Sequence, residues 1–176
     1  MPLEIIRPNP RYLNSYLEAC RAAWGKVHDD YILHDPARFS EWKETIFDDY
    51  RNQEAGIGLR RGFVPSATFW LIRNNECAGS LNVRLQLNET LRRYGGNAGI
   101  FVRADRRRLG IMRESFTRLP ELFSRLGLSD EILLTCYESN IPVVNCLDSM
   151  TELFPRRESD VVLLDGKPVK IRRYFS

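Results

Sequence analysis

The stretch Ile100-Phe101-Val102-Arg103-Ala104-Asp105-Arg106-Arg107-Arg108-Leu109-Gly110-Ile111-Met112 organises the rest of the chain around it. A short apolar strand, Asn97–Val102, gives way to a basic loop, Arg103–Gly110, and a helix opens at the glycine. A helix start presents free N–H groups and a partial positive charge, so it attracts anions. Arginines beside it add charge-assisted, two-pronged contacts to phosphate. Arg103, Arg106, Arg107 and Arg108 fall within six residues. Cations at a helix N-terminus oppose its dipole unless an anion lies between them. A solvated charge run is the plainer alternative, but it leaves that conflict in place. An anion site with two or more phosphates as its natural ligand removes it.

Downstream, Met112, Phe116, Leu119, Phe123 and Leu126 recur at steps of four and three, which predicts a helix ending at Gly127. Pro120 inside it removes one hydrogen bond, at a cost of about 3 kcal/mol, and predicts a kink. Glu131–Cys136 reads as a strand, and Ser139/Asn140 with Pro142 opens a helix to about Met150. A hairpin of Val161–Leu164 and Val169–Phe175, turned by Asp165-Gly166, closes the chain.

Upstream, strands Ala67–Arg73 and Glu76–Leu85 flank Asn74-Asn75, a pair suited to the positive φ of a two-residue hairpin. Gly79 inside the second strand predicts a bulge or a close backbone approach. Leu87–Tyr94 reads as a connection closed by Gly95-Gly96. Leu3–Arg7 is a first strand. Asn9 then caps a helix with Pro10 at its first position, and Leu13, Leu17, Cys20, Trp24 and Val27 line one face. Asp35-Pro36 repeats that signal before the stripe Phe39, Trp42, Ile46 and Tyr50, and a glycine-rich loop (Gly56, Gly58, Gly62) runs to Pro65. Helices mixed among hairpins indicate an α+β sandwich, with one strand–loop–helix–strand unit expected to be parallel.

The 176 residues fit one domain, 1–176, with 43% hydrophobic and 28% charged residues. A net charge of +3 is too mild to imply nucleic acid, and Arg60-Arg61 and Arg92-Arg93 do not make a second basic face. No signal-peptide core or membrane-length apolar run is present, so a cytoplasmic location without membrane contact is expected. Cys20, Cys77, Cys136 and Cys146 form no CxxC pair, and only His28 and His34 join them. Buried free thiols are therefore expected, and no metal site.

Arg107-Arg108-Leu109-Gly110-Ile111-Met112 resembles the R/Q-x-x-G-x-G/A loop of the GNAT N-acetyltransferases, and the strand before it and Leu133-Leu134-Thr135-Cys136 before Asn140 agree. The chain also resembles a group of predicted bacterial acetyltransferases in Phe63-Val64-Pro65, Thr68-Phe69-Trp70-Leu71, Arg84 with Asn88, Gly95-Gly96 and Asp165-Gly166-Lys167-Pro168. The resemblance covers nearly the whole chain. It implies an α+β (mixed α/β), GNAT-like acyl-CoA N-acyltransferase fold, with a central, mostly antiparallel twisted sheet flanked by helices. It implies acetyl-CoA as co-substrate and an amine acceptor, of a small molecule or a protein, that attacks the thioester directly in a ternary complex. It also allows a homodimer, for which the C-terminal hairpin offers an edge.

Carried over by position, the resemblance has the backbone of Phe101 and Val102 pair with the pantetheine arm like an added strand. Amides from Arg108 through Met112 (Leu109, Gly110 and Ile111 between) hold the pyrophosphate, Arg107 leads the loop, and Asn140 contacts the cofactor. Arg113 stands where the family often has a small hydroxyl residue, and either reaches a phosphate or points to water. Met112 departs from the small residue that ends the motif. Leu147 aligns with the frequent general-acid tyrosine and cannot donate a proton. Both departures motivate an alternative, a weakened domain that binds CoA as a sensor or structural ligand. Glu138 as base and Tyr137 as proton donor are the catalytic candidates, against an exposed loop carboxylate and a half-buried packing tyrosine. Cys136 as nucleophile is weighed against a core thiol. Arg84, odd in mid-strand, and Asn88 are candidates to touch the acceptor, and Asn97 to order a water.

Overall fold

The structure, a computed structural model, describes residues 2–23, 34–128 and 131–176. In chain order the elements are β1 (Glu4–Ile6), α1 (Leu13–Ala23), α2 (Phe39–Ala55), β2 (Ser66–Arg73), β3 (Glu76–Arg84), α3 (Glu89–Arg93), β4 (Ala98–Val102), α4 (Ile111–Thr117), α5 (Leu119–Arg125), β5 (Leu133–Tyr137), α6 (Ile141–Asp148), β6 (Arg156–Leu164) and β7 (Lys167–Phe175).

Local chemistry accounts for most boundaries. Asn9 Oδ1 accepts the Arg11 N–H at 3.0 Å and Asp35 Oδ1 accepts the Ala37 N–H at 2.8 Å, so each Asx-Pro pair starts a short 3-10 turn that feeds its helix. Trp24 and Val27, expected at the end of the first helix, and His28 lie outside the described residues. The hairpin turns carry positive φ at both central residues, 55° and 61° at Asn74-Asn75 and 50° and 75° at Asp165-Gly166. That handedness matches the twist of the strands they join.

The strands form two antiparallel sheets, β1-β2-β3-β4 and β5-β7-β6. β2 is apolar on both faces because both are covered. Ala67, Phe69 and Leu71 enter a core shared with α4, α5, α6 and the second sheet, while Trp70 and Ile72 enter an aromatic core under α1 and α2. There Tyr16 stacks on Trp70 at 4.5 Å, and the Tyr16 hydroxyl hydrogen-bonds His34 Nδ1 at 2.9 Å.

The structure corrects four expectations. The helix through Gly127 is two helices rather than one kinked rod. Arg118 (φ −94°, ψ 1°) ends α4, and Pro120 sits in the first turn of α5, where its missing N–H has no helical partner to lose. The connection Leu87–Tyr94 contains α3, capped by Asn88 Oδ1 on the Leu91 N–H at 2.9 Å. β6 starts at Arg156 rather than Val161, since its charged N-terminal half is paired across the ladder, Glu158 to Arg173 among others. Finally, every ladder among the described residues is antiparallel, and the expected parallel pairing of β4 with β5 does not form. The reason lies at the root of the candidate site.

Candidate active site

Asn97 joins the two sheets. Its carbonyl accepts the Arg84 N–H (2.8 Å) in the first sheet, its own N–H donates to the Leu133 carbonyl (2.7 Å) in the second, and its Oδ1 accepts the Leu133 N–H (2.7 Å). Gly95 and Gly96, both at positive φ, bring the chain into this joint. A Cβ on Gly96 would lie 2.4 Å from the Leu133 carbonyl oxygen, so only glycine permits the approach. Arg84 fastens the turn by donating to the Gly95 and Gly96 carbonyls at 2.8 and 3.0 Å. Thr135 Oγ1 accepts the Gly95 N–H at 2.8 Å.

Beyond the joint no ladder links β4 to β5. Hydrogen-bonded pairs alternate along an antiparallel ladder, and the bonds Arg84 N–H to Asn97 and Arg103 N–H to Ala78 fix the phase in β4. Gly99 and Phe101 therefore point their backbone groups at β3, while Ile100 and Val102 point theirs off the sheet edge. The same argument in β5, from Glu138 N–H to Lys170 and Ser176 N–H to Ile132, turns Thr135 and Tyr137 off the edge. The gap between the sheets is thus walled by unladdered backbone from Ile100 and Val102 on one side and Thr135 and Tyr137 on the other. The backbone of Phe101, expected here, is committed to Ser80 of β3, and its side chain belongs to the aromatic core. Gly79 makes room for that pairing: a Cβ there would lie 2.0 Å from the Phe101 carbonyl oxygen. A register shift between Leu71 and Ile72 marks the expected irregularity.

The basic loop leads from β4 to α4. Gly110 (φ 76°) caps α4 with no side-chain hydrogen bond, and Arg108 holds a positive φ of 61°, uncommon for a side-chain-bearing residue. The arginines divide by partner. Arg103 pairs with Asp105 (3.0 Å), Arg106 with Glu76, and Arg107 Nε donates to the Val102 carbonyl at 3.4 Å. Arg108 is exposed and has no side-chain partner among the described residues. Arg113 donates to Ser149 Oγ at 2.5 Å. Leu109 is exposed, Ile111 is buried, and Met112 is half-buried against the shared core.

Asn140 opens α6 with an exposed side chain that caps nothing. Leu147, at 1% exposure, is core. Tyr137 is half-buried. Glu138 lines an open depression of about 390 Å³ with Ser159, Asp160, Val161 and Lys170, its carboxylate 3.5 Å from Arg172 and 3.9 Å from Lys170. Burial pushes the Cys136 thiol up to about 11, which keeps it protonated near neutrality. Asn88 caps α3 and donates to the Gly62 carbonyl at 2.9 Å. Arg84 and Asn97 therefore have structural bonds at the joint, and Asn88 has structural bonds at α3 and Gly62.

Two contributors escaped sequence reasoning. Ile100 presents the edge expected of Phe101, and Arg73 grips the loop through the Leu109 carbonyl (2.7 Å) and both oxygens of Glu114 (2.5 and 2.6 Å). The first follows only from register, and the second joins residues 36 and 41 positions apart. No local pattern announces either.

No helix among the described residues is long and apolar enough to cross a membrane, and no group of three or more His, Cys, Asp or Glu among them could hold a metal ion.

Two antiparallel sheets parted beyond a single joint, with a glycine-turned loop and helix above the gap, make a fold shared with solved acetyltransferases, one of them of the GNAT family. RimL, a ribosomal L7/L12 α-N-protein acetyltransferase in complex with coenzyme A, superposes with a TM-score of 0.65 over 99% of this chain and 93% of its own, at 12% identity. The microcin C7 self-immunity acetyltransferase MccE, in complex with acetyl-CoA and AMP, gives 0.62 over 99% and 91%, at 10% identity. A GNAT-family acetyltransferase from Streptococcus pneumoniae gives 0.60 over 99% of both chains, at 13% identity. Identities this low carry the fold alone. Neither a protein-family model nor a curated protein matches the chain.

Proposed function

We propose that the protein is an N-acetyltransferase that uses acetyl-CoA to acetylate a primary amine of a small molecule or a protein, by direct attack in a ternary complex. The observation that carries this is the parted edge of β4, where Ile100 and Val102 offer unladdered backbone beside a loop of uncapped amides. An extended amide-bearing arm fits such an edge as an added strand, and a diphosphate fits free N–H groups with adjacent arginines. The two neighbours with CoA-type ligands support the same assignment.

Val102 and Ile100 hold the pantetheine arm, amides from Arg108 through Met112 hold the diphosphate with the guanidiniums of Arg107 and Arg108, and Arg113 and Asn140 flank them. Bound acetyl-CoA supplies an acetyl group activated as a thioester. An edge amide of β4 donates to the carbonyl oxygen. Glu138 takes the ammonium proton of the incoming amine. Tyr137 protonates the departing sulfur as the amide C–N bond forms and the C–S bond breaks. Arg84 and Asn97 fix the joint below the gap, and Arg84 and Asn88 are the side chains that would meet the acceptor. The protein works in the cytoplasm, and the β6 edge, with Val161 and Leu163 exposed, is where a second copy would pair.

A second reading, a CoA-binding sensor, draws on Leu147, which puts a core side chain where the family's acid stands. Thermal unfolding with and without acetyl-CoA tests what the two share. Ligand at about 100-fold over its dissociation constant adds ~2.7 kcal/mol, roughly 5–10 °C for this size. The shift should vanish in Gly110→Trp. No shift in the wild type removes both readings. A shift without turnover on a panel of amines favours the sensor.

A further inference from the structure

We infer that the glycine-rich loop between α2 and β2 forms, with α3, a docking surface for an acidic protein segment that also carries an apolar side chain. Arg60-Arg61 and Arg92-Arg93 are far apart in the sequence, which gives no sign of a common face, and the structure joins them. Asn88, the cap of α3, donates from Nδ2 to the Gly62 carbonyl at 2.9 Å, and the Leu85 N–H donates to the Pro65 carbonyl at 2.8 Å. These bonds tie the loop to the chain that enters α3. The Phe63 N–H closes a turn on the Arg60 carbonyl at 3.0 Å, which places Arg60 and Arg61 on that turn. Arg61 adjoins the bonded Gly62, and Arg92 stands one helical turn, roughly 6 Å, from Asn88. All four arginines are exposed.

Their lack of partners sets these arginines apart. Arg7, Arg38, Arg51 and Arg156 are exposed too, and each holds a carboxylate. Among the described residues no carboxylate lies within ion-pair distance of Arg60, Arg61, Arg92 or Arg93. Glu89, the one carboxylate in residues 56–65 and 84–96, pairs with neither arginine of its own helix. Like charges gathered in this way repel one another unless an anion comes between them. In the same loop Ile57 and Phe63 are 62% and 52% exposed, and each is stabilised only when something covers it. Arginine with aromatic and aliphatic groups, and no lysine in either segment, is the make-up of a protein interface. Four cations fall short of the about six to ten phosphate contacts of a nucleic-acid site, and Ile57 offers a base no ring to stack on. A segment of aspartates or glutamates with a large apolar residue among them satisfies both halves of the patch. The surface lies at the root of the gap, where Gly95 and Gly96 follow α3, and it stands whether or not acetyl-CoA fills the mouth.

The test is fluorescence anisotropy with three labelled probes: a peptide of glutamates interrupted by phenylalanines, a peptide of glutamates alone, and a polyuridylate of the same length. The mixed peptide should bind the wild type most tightly, and added salt should weaken it. Arg61→Glu with Arg92→Glu should weaken that binding roughly tenfold or more, and Phe63→Ser should remove its advantage over the glutamate peptide. Lys43→Glu with Arg125→Glu makes the same change in net charge at exposed sites outside the patch, and should leave binding close to the wild type. Equal losses in the two double variants would mean that bulk charge, not this surface, attracts the peptide, and would overturn the inference. So would a wild type that ignores the mixed peptide, or one that prefers the polyuridylate. Thermal unfolding checks that each variant folds, and Arg61→Gln with Arg92→Gln takes the place of the glutamate pair should that pair not fold. None of these outcomes bears on acetyl-CoA, whose binding is read separately from its own thermal shift.

Discussion

The root and the mouth of the gap between the sheets follow opposite rules. At the root Asn97 bonds to both sheets and Gly96 passes where no Cβ fits. At the mouth, two residues of each strand turn unladdered backbone outward, and the helix above starts without a cap. The difference teaches that strand edges can stay outside any ladder at one place because a bonded joint a few residues away holds the geometry. Substitutions at the root should act on stability, and those at the mouth on ligand.

The largest effect is expected where backbones touch. Gly79→Ala places a methyl 2.0 Å from the Phe101 carbonyl oxygen, and should cost about 3 kcal/mol, read as a fall in Tm of roughly 6–12 °C. An unchanged Tm would show that β3 and β4 are not this close. Asn97→Ala comes next. It leaves the Leu133 N–H buried and unbonded, for about 1–3 kcal/mol in urea unfolding. A neutral outcome there would break the comparison, since the joint would not be what holds the gap.

A smaller effect concerns acid. His34 is fully buried, 3.4 Å from the Asp49 carboxylate, and burial lowers its pKa from the ordinary 6.5. The unfolded chain then binds a proton that the folded one does not. Stability is complete above pH 6.5 and falls as pH drops below it, by at most about 1.4 kcal/mol per unit. The slope should be the same in Asn97→Ala, because Asn97 bonds Leu133 and Arg84 whereas His34 bonds Tyr16; a changed slope would tie the aromatic core to the joint. The smallest change in stability is expected at the mouth. Val102→Pro removes an N–H that faces no strand, at about 1 kcal/mol or less, yet it should abolish the thermal shift given by acetyl-CoA. A retained shift would move the binding edge elsewhere.

Much of this was legible in the residues. Asx-Pro pairs, the Asn74-Asn75 turn and the spacing of Phe116, Leu119 and Phe123 each act within a few positions, so their signals are local. Gly79 was readable as a tight place, though not as tight against Phe101. Register was not legible, because nothing in Ile100-Phe101-Val102 says which residue faces β3, and the edge was assigned one residue off. The structural bonds of Arg84, Asn88 and Asn97 were not legible for a related reason. Polar residues beside a cleft look like ligand contacts until their backbone partners are known. The charge in Arg156–Asp160 hid half a strand, since its pairing lies in Arg172 and Arg173.

The joint also bears on the order of folding. β2–β3 and β6–β7 close through two-residue turns, so they can form early and locally. The bond from Leu133 to Asn97 closes a separation of 36 residues, with α4 and α5 in between. Its entropy of closure must be met before the two sheets share a core. The contact that creates the gap is therefore expected to form after the two hairpins, and a chain halted just short of it would hold both hairpins and no site.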